Sequence, residues 1–470
     1  MKILLGLGAL IPAFRPAAGP PPRSIGAFFN WCLKGSWKML GFAAFVSAIA
    51  GTAEVVSAWI LGWVVDASLA SGASGFFSDH AWSLGLCVLF YLVARPLAFA
   101  ASSAANSIII GPNVMPLVLS RLHRWTLGQS ITFFDNDFAG RIAQKQMQAA
   151  RAVTDVVTET INTGAFALAS VVASVIYLVS IDVRIAVLLA VWLLIYIFLI
   201  RHFVPRVKKN SAARAAARAM VSGQVVDTIT NIKTVKLFAH DAYEDRVALD
   251  AMEVFRQRSL EFGEISTWFR LALMTLAGVL PVLLIGATLM LWQQGLASAG
   301  AIAAAGAIAM RIAQMSGWVS FTLMSIYTSI GEVEDGMRSL TVNHALTDVP
   351  DAQILTKVKG EIRFENASFA YGRQRGGVDA IDLTIRAGEK LGIVGASGAG
   401  KSSLVSLVLR LYDTEAGRIL IDGVDLRAVT QESLRRQIGM VTQETAMFNR
   451  SARDNISYGR PDAAQSEIVA

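Results

Sequence analysis

The sequence is short of charge, of cysteine and of histidine. Only 16% of its 470 residues are charged while 54% are hydrophobic, against about 25% charged in an ordinary soluble protein. That balance argues against a soluble globular chain and for membrane. The two cysteines, Cys32 and Cys87, both lie in apolar stretches, which excludes a disulfide framework and a cysteine-based metal site. The five histidines stop at His344, so the last quarter of the chain has no imidazole for acid–base work. No internal repeat or low-complexity tract interrupts the chain. The formal net charge of +7 comes from Lys and Arg placed beside apolar runs. We read that as membrane topology, with no nucleic-acid partner.

What is there is long apolar segments, enough for two or three domains in all. Residues 1–23 hold a short apolar run and Gly19-Pro20-Pro21-Pro22; they are expected to be a leader, disordered or lying on a surface. Residues 24–37 mix Phe28, Phe29, Trp31 and Trp37 with Lys34, as in a helix lying in the membrane interface. Six apolar segments follow, at 39–70, 80–114, 161–181, 185–204, 268–292 and 299–330. Each is long enough to cross a bilayer, which takes about 20 residues. Five Lys or Arg precede the first, none separates the first two, and five follow the second (Arg121, Arg124, Arg141, Lys145 and Arg151). Arg184 alone lies between the third and fourth, eleven lie between 201 and 258, and none separates the fifth and sixth. By the positive-inside rule both ends face the cytosol. The absence of an organellar presequence favours a bacterial inner membrane. The two long cytosolic connections read as helical hairpins, with tips near 133–140 and 225–232. Glu54, Arg95 and Arg311 fall inside spans, where charge is costly. They fit a polar substrate path or a counter-charge for an anionic headgroup, and equally a structural ion pair.

Beyond residue 333 the composition turns polar. A linker reaches residue 356, alternation at 361–364 predicts a strand, and 379–385, followed by a turn at Gly388-Glu389, reads as a second. Then comes Gly395-Ala396-Ser397-Gly398-Ala399-Gly400-Lys401-Ser402, a full match to the phosphate-binding pattern G-x-x-x-x-G-K-[ST]. The apolar run 390–394 before it predicts a buried strand. Leu404, Leu407, Val408 and Leu411 after it recur at helical spacing. The glycines let backbone N–H groups close on phosphate oxygens, the helix N-terminus adds its dipole, Lys401 reaches the β- and γ-phosphates, and the Ser402 hydroxyl can hold Mg²⁺. Residues 418–421, closed by Asp422-Gly423, predict a further strand.

Six spans, two long hairpins and a C-terminal phosphate loop together resemble the half-transporters of the ATP-binding cassette (ABC) exporters, from residue 24 to the last. The resemblance implies an all-α six-helix transmembrane domain at 24–332, a linker at 333–356, and the first part of an α/β P-loop nucleotide-binding domain at 357–470. It implies ATP and Mg²⁺ as cofactors, a second half-transporter (identical or not) and the lipid bilayer as partners, and export of a small molecule or lipid. Tyr371, in Phe369-Ala370-Tyr371, takes the place of the aromatic that stacks on adenine. Residues 395–402 are the Walker A motif, and Ser403 joins its nucleotide contacts. Gln443, in Ile438-Gly439-Met440-Val441-Thr442-Gln443-Glu444, takes the Q-loop position beside Mg²⁺ and the attacking water. Residues 133–140 and 231–238 look like the family's two intracellular-loop sequences.

The departures lie at the end. The family's signature sequence, an apolar strand ending in Asp-Glu, and a switch histidine have no counterpart in 357–470. Leu420-Ile421-Asp422 is followed by Gly423 where a glutamate would stand. The sequence therefore reads as C-terminally truncated, and the 470-residue chain is expected not to hydrolyse ATP alone. The alternatives are a non-hydrolytic subunit that regulates a complete partner, and a membrane-tethered P-loop kinase or NTPase.

Overall fold

The computed structural model describes residues 6–135, 137, 139–372, 377–441 and 447–469. They fall into two units, Met1–Gly128 with Asp137–Asn343, and Gln129–Asn136 with His344–Ala470.

In the first unit six helices are long and apolar enough to span a membrane: Trp37–Gly72, Ala81–Leu127, Ala139–Ile181, Val183–Thr230, Asp241–Gln293 and Ala299–Leu340. We number them spans one to six. The fourth has 48 residues and so runs about 72 Å at 1.5 Å per residue, more than twice a hydrocarbon core of about 30 Å. Spans four and five continue as a paired hairpin, where the Arg214 guanidinium sits 3.9 Å over the Phe262 ring. The turn falls later than the sequence implied. Span four stays helical to Thr230, where Asn231 Nδ2 bonds the Asp227 carbonyl. A short helix, Ile232–Phe238, then forms the tip and ends at Ala239 in the left-handed region. Asn231 closes span four, its backbone N–H also donating to the Asp227 carbonyl.

Backbone approach sets the packing among spans one, three and six. A Cβ on Gly51 would lie 2.3 Å from the Phe166 carbonyl, and one on Gly300 would lie 2.0 Å from the Gly62 carbonyl. Asp66 of span one caps span six, accepting the Gly300 N–H at 2.7 Å and the Ser298 hydroxyl at 2.6 Å. A carboxylate at a helix N-terminus is favourable there. The apolar core of this unit includes Leu178, Leu189, Leu280, Leu284 and Ile308.

The N-terminal stretch is strapped along span two. Asn113 Nδ2 donates to the Gly8 carbonyl, and Ile11 is buried. A helix, Ile25–Leu33, follows. Arg121, 2% exposed, donates to the carbonyls of Arg15, Trp31, Cys32 and Lys34 at 3.1, 2.7, 2.8 and 2.7 Å. It thus occupies the C-terminal carbonyls of that helix, where positive charge is stabilised.

The second unit is built on a four-stranded antiparallel sheet in the order β2-β1-β3-β4, with β1 at Ile362–Phe369, β2 at Val378–Ile385, β3 at Ala416–Ile421 and β4 at Val424–Asp425. Ile362 pairs with Ile385 on one side and Ile421 on the other. The β1–β3 register shifts between Glu365 and Ser368, a bulge at which Asn366 has φ +47°. Gly417 fits against it because a Cβ there would meet the Asn366 carbonyl at 2.1 Å. Phe364, Ile419 and Ile421 on the sheet pack with Leu404, Leu407 and Leu434. Arg410, with its side chain 3% exposed, bonds Asp348 and Asp413 at 3.1 and 3.0 Å and the Val429 carbonyl, tying residue 348 into this unit.

One predicted strand is absent. Residues 390–394 join no ladder, and Leu391, Ile393 and Val394 are 42%, 42% and 94% exposed. A buried strand needs a hydrogen-bonded neighbour on at least one side, and no described strand lies beside this run.

Candidate nucleotide site

The phosphate loop leaves an extended run and opens directly into the helix Lys401–Val408. Gly398 and Gly400 hold φ of +82° and +85°, which only glycine adopts without strain. Gly400 is fixed further by close approach: a Cβ there would lie 2.1 Å from the Gly377 carbonyl, and one on Gly377 would lie 1.9 Å from the Phe369 carbonyl. The two glycines interlock the loop with the start of β2. Leu404 and Leu407 anchor the helix in the sheet core. The first-turn N–H groups of Lys401, Ser402 and Ser403 have no intrahelical acceptor by helix geometry. Residues 395–399 are exposed.

The Lys401 ammonium folds back on its own loop, 2.8 Å from the Gly395 carbonyl and 2.7 Å from that of Ala396. Both acceptors are neutral, so a phosphate oxygen would outcompete them. The left-handed glycines, the unpaired first-turn N–H groups and the lysine together fit a polyphosphate. Ser402 lies exposed on the first turn, whereas Ser403 is buried and its hydroxyl lies 2.9 Å from that of Tyr371. Among the described residues no three His, Cys, Asp or Glu side chains cluster to hold a metal. A cation here would depend on Ser402 and on the phosphates it accompanies.

Tyr371 arrives from the end of β1 with φ +58°. Its ring centroid is 4.6 Å from that of Phe369 and 5.2 Å from that of Tyr412, and the residue is 46% exposed. The structure therefore brings Tyr371 to the helix that follows the loop. Gln443 lies outside the described residues. Two residues went unnoticed in the sequence. Gly377 has a signal, the Gly376-Gly377 pair; Tyr412 has none. The Tyr412 hydroxyl donates to Asp135 at 2.9 Å. Burial, and then the Asp135 carboxylate, push its pKa up to about 12.

A P-loop unit fused behind six membrane-length helices defines an ATP-binding transporter. The family model of the ABC transporter transmembrane region matches residues 40–315 and that described as ABC transporter matches residues 378–470. The chain belongs to the ABC transporter family, and its second unit carries an ATP-binding domain of that family. It is 35% identical over 469 residues to an uncharacterized ABC transporter ATP-binding protein of Haemophilus influenzae, covering 97% of this chain and 74% of that protein. It is also similar to a putative multidrug export ATP-binding/permease protein of Bacillus subtilis, with 28% identity over 57% of this chain and 47% of that one. To an ATM1-type heavy metal exporter of Novosphingobium aromaticivorans it is 29% identical over 53% of this chain and 41% of that one. Its fold matches a solved bacterial Atm1-family ABC exporter with ATP bound, at TM-score 0.77 and 21% identity over 92% of this chain and 76% of that chain.

Proposed function

We propose that the chain is one half of a dimeric ATP-driven exporter. Residues 24–332 carry the substrate path, 333–356 link, and 357–470 contribute the first part of the nucleotide-binding domain. Residues 395–402 cradle the phosphates, Lys401 neutralises them, Ser402 and Gln443 hold Mg²⁺, and Tyr371 lies against the adenine side. Ser403 supports Tyr371 through its hydroxyl and offers its first-turn N–H to phosphate. Both ends face the cytosol, a reading supported by the alternating Lys and Arg counts, and the membrane is taken as a bacterial inner one. The observation that carries the proposal is the loop itself, with two left-handed glycines opening onto a helix, behind six spans whose helices outrun a bilayer.

Phosphoryl transfer is mainly positioning and charge stabilisation. These 470 residues hold no Asp-Glu pair after an apolar strand and no histidine after His344. We therefore expect the chain to bind Mg-ATP without turning it over. Titration of the purified chain with Mg-ATP should show saturable binding that Lys401→Ala weakens by about tenfold or more, since a charge-assisted phosphate contact is lost. Lys401→Ala should leave thermal stability unchanged. ATP-dependent uptake into inverted membrane vesicles carrying the native gene product tests export. Binding without uptake would instead favour a regulatory subunit.

A further inference from the structure

Three charged residues inside the spans, Glu54, Arg95 and Arg311, are gathered in one place. Glu54 of span one sits between Arg95 of span two and Arg311 of span six. Its Oε1 accepts from Arg95 Nη2 at 2.9 Å, and its Oε2 lies 3.4 Å from Arg311 Nε. The second contact is an ion pair off hydrogen-bonding geometry: the Nε atoms of Arg95 and Arg311 are both buried without a hydrogen-bond partner among the described residues. The carboxylate side chain is 9% exposed, while the two arginine side chains are 38% and 40% exposed. Two guanidiniums share one carboxylate, so the cluster keeps one net positive charge and open donors. A purely structural ion pair would be neutral. An unneutralised arginine facing hydrocarbon is costly, so the exposed parts face water or a ligand.

The local backbone aims these groups. A π-helical turn, Phe90–Ala94, leads into Arg95. The cause is Pro96, which has no N–H and pushes against the carbonyl four residues back. A second π turn, Thr160–Ala165, leads into Phe166. Gly51 lets the Phe166 backbone approach span one, one helical turn from Glu54. The result is an aromatic floor. Arg95 lies 5.4 Å from the Phe99 ring centroid and Arg311 lies 5.9 Å from that of Phe166, and Phe166 meets Trp318 edge-on at 6.2 Å. Met315 and Val319, which back this floor, also line an apolar cavity of about 350 Å³.

We infer that Arg95, Glu54 and Arg311 bind the anionic group, a phosphate or carboxylate, of an amphiphile whose apolar body lies on Phe99, Phe166 and Trp318. The two arginines supply donors to the anion. Glu54 orients both and, being negative, limits affinity so that the ligand can leave. The inference deepens the exporter reading and rests on it for the ligand's fate, but binding itself needs neither ATP nor transport.

The test is binding of radiolabelled dodecyl phosphate to the full chain in phosphatidylcholine nanodiscs, with empty nanodiscs subtracted and dodecyl maltoside as the neutral probe. Arg95→Gln and Arg311→Gln should each weaken dodecyl phosphate binding by about tenfold, the effect of one charged hydrogen-bonding partner. Glu54→Gln should tighten it by about fivefold, because a nearby negative charge is removed. Arg311→Lys, which keeps the charge but lacks the planar fork, should fall between the parent and Arg311→Gln. The neutral probe should not follow these changes. Displacement by phosphatidylglycerol doped into the disc would assign the anion to a bilayer lipid; no displacement would assign it to a free amphiphile. The inference is overturned if Glu54→Gln weakens binding in step with the arginine variants, or if binding ignores charge. Should Arg311→Gln not fold, Arg311→Lys and Glu54→Gln still decide it. Absence of ATP-driven uptake in vesicles carrying the native gene product, with this binding intact, would count against the exporter reading alone.

Discussion

Replacing Arg121 by Met should unstrap the N-terminus. The guanidinium is buried and gives four hydrogen bonds to backbone carbonyls between residues 15 and 34. Methionine fills similar space but donates nothing, leaving four acceptors to find water or stay unpaired. Each buried orphan costs about 1–3 kcal/mol, and partial rehydration reduces the sum. A net local loss of about 3 kcal/mol follows, which raises the open population of the strap about 100-fold at roughly 1.4 kcal/mol per decade. Cys32 reports that opening. It is fully buried, and burial pushes its thiol pKa well above the usual range, so it should be inert to maleimide while the strap is closed. In a Cys87→Ser background, the alkylation rate of Cys32 should rise about 100-fold in Arg121→Met, by the same arithmetic. Arg121→Lys should fall between, because an ammonium lacks the planar fork. Arg124→Met, at an exposed position of the same helix, should change nothing. An alkylation rate within about twofold of the parent in Arg121→Met would show that apolar contacts of Phe28 and Leu33 alone hold the strap, and the reasoning from hydrogen bonds would be refuted.

Two further outcomes follow from packing and charge. Gly300→Ala puts a Cβ 2.0 Å from the Gly62 carbonyl and 2.5 Å from the Asp66 carboxyl. The spans must part, at a cost of about 1–3 kcal/mol of overpacking, and thermal unfolding in detergent should shift down; Gly278→Ala, where a Cβ meets nothing within 4 Å, is the control, and equal melting of the two would remove the close-crossing argument. Asp422 is half-buried, and although burial opposes its ionisation, the N–H groups of Glu361, Lys359 and Gly360 together outweigh that and hold its carboxyl below the usual range. Its stabilising effect is present above the unfolded carboxylate pKa of about 3.9 and fades as pH falls through the lower folded value. Asp422→Asn should therefore flatten the acid limb of the second unit's stability below about pH 4 without affecting ATP binding at pH 7; an unchanged acid limb would show that these bonds do not couple to folding.

Much of the architecture was legible because its signals are local. Six apolar runs of bilayer length become six helices, since an unpaired backbone in hydrocarbon has no alternative. The phosphate loop was legible because its glycines answer to a backbone conformation that no other residue adopts cheaply. Alternation at 361–364, and short strand-like runs at 379–385 and 418–421 bounded by turn signals, foretold β1, β2 and β3 for the same kind of reason, a pattern written into neighbouring residues. The sequence counts Arg121 as one of five cytosolic charges and cannot show that it is buried against carbonyls 87 to 106 positions away. Nor could it show that the Tyr371 hydroxyl meets Ser403, or that a single glutamate serves two arginines from two other spans. The run 390–394 has a strand's composition without a strand's partner, because pairing is a property of two segments and not of one. Local period, span length and glycine conformation were thus determined by the sequence alone. Which charges are buried, which are shared and which face open space was decided only when distant segments met.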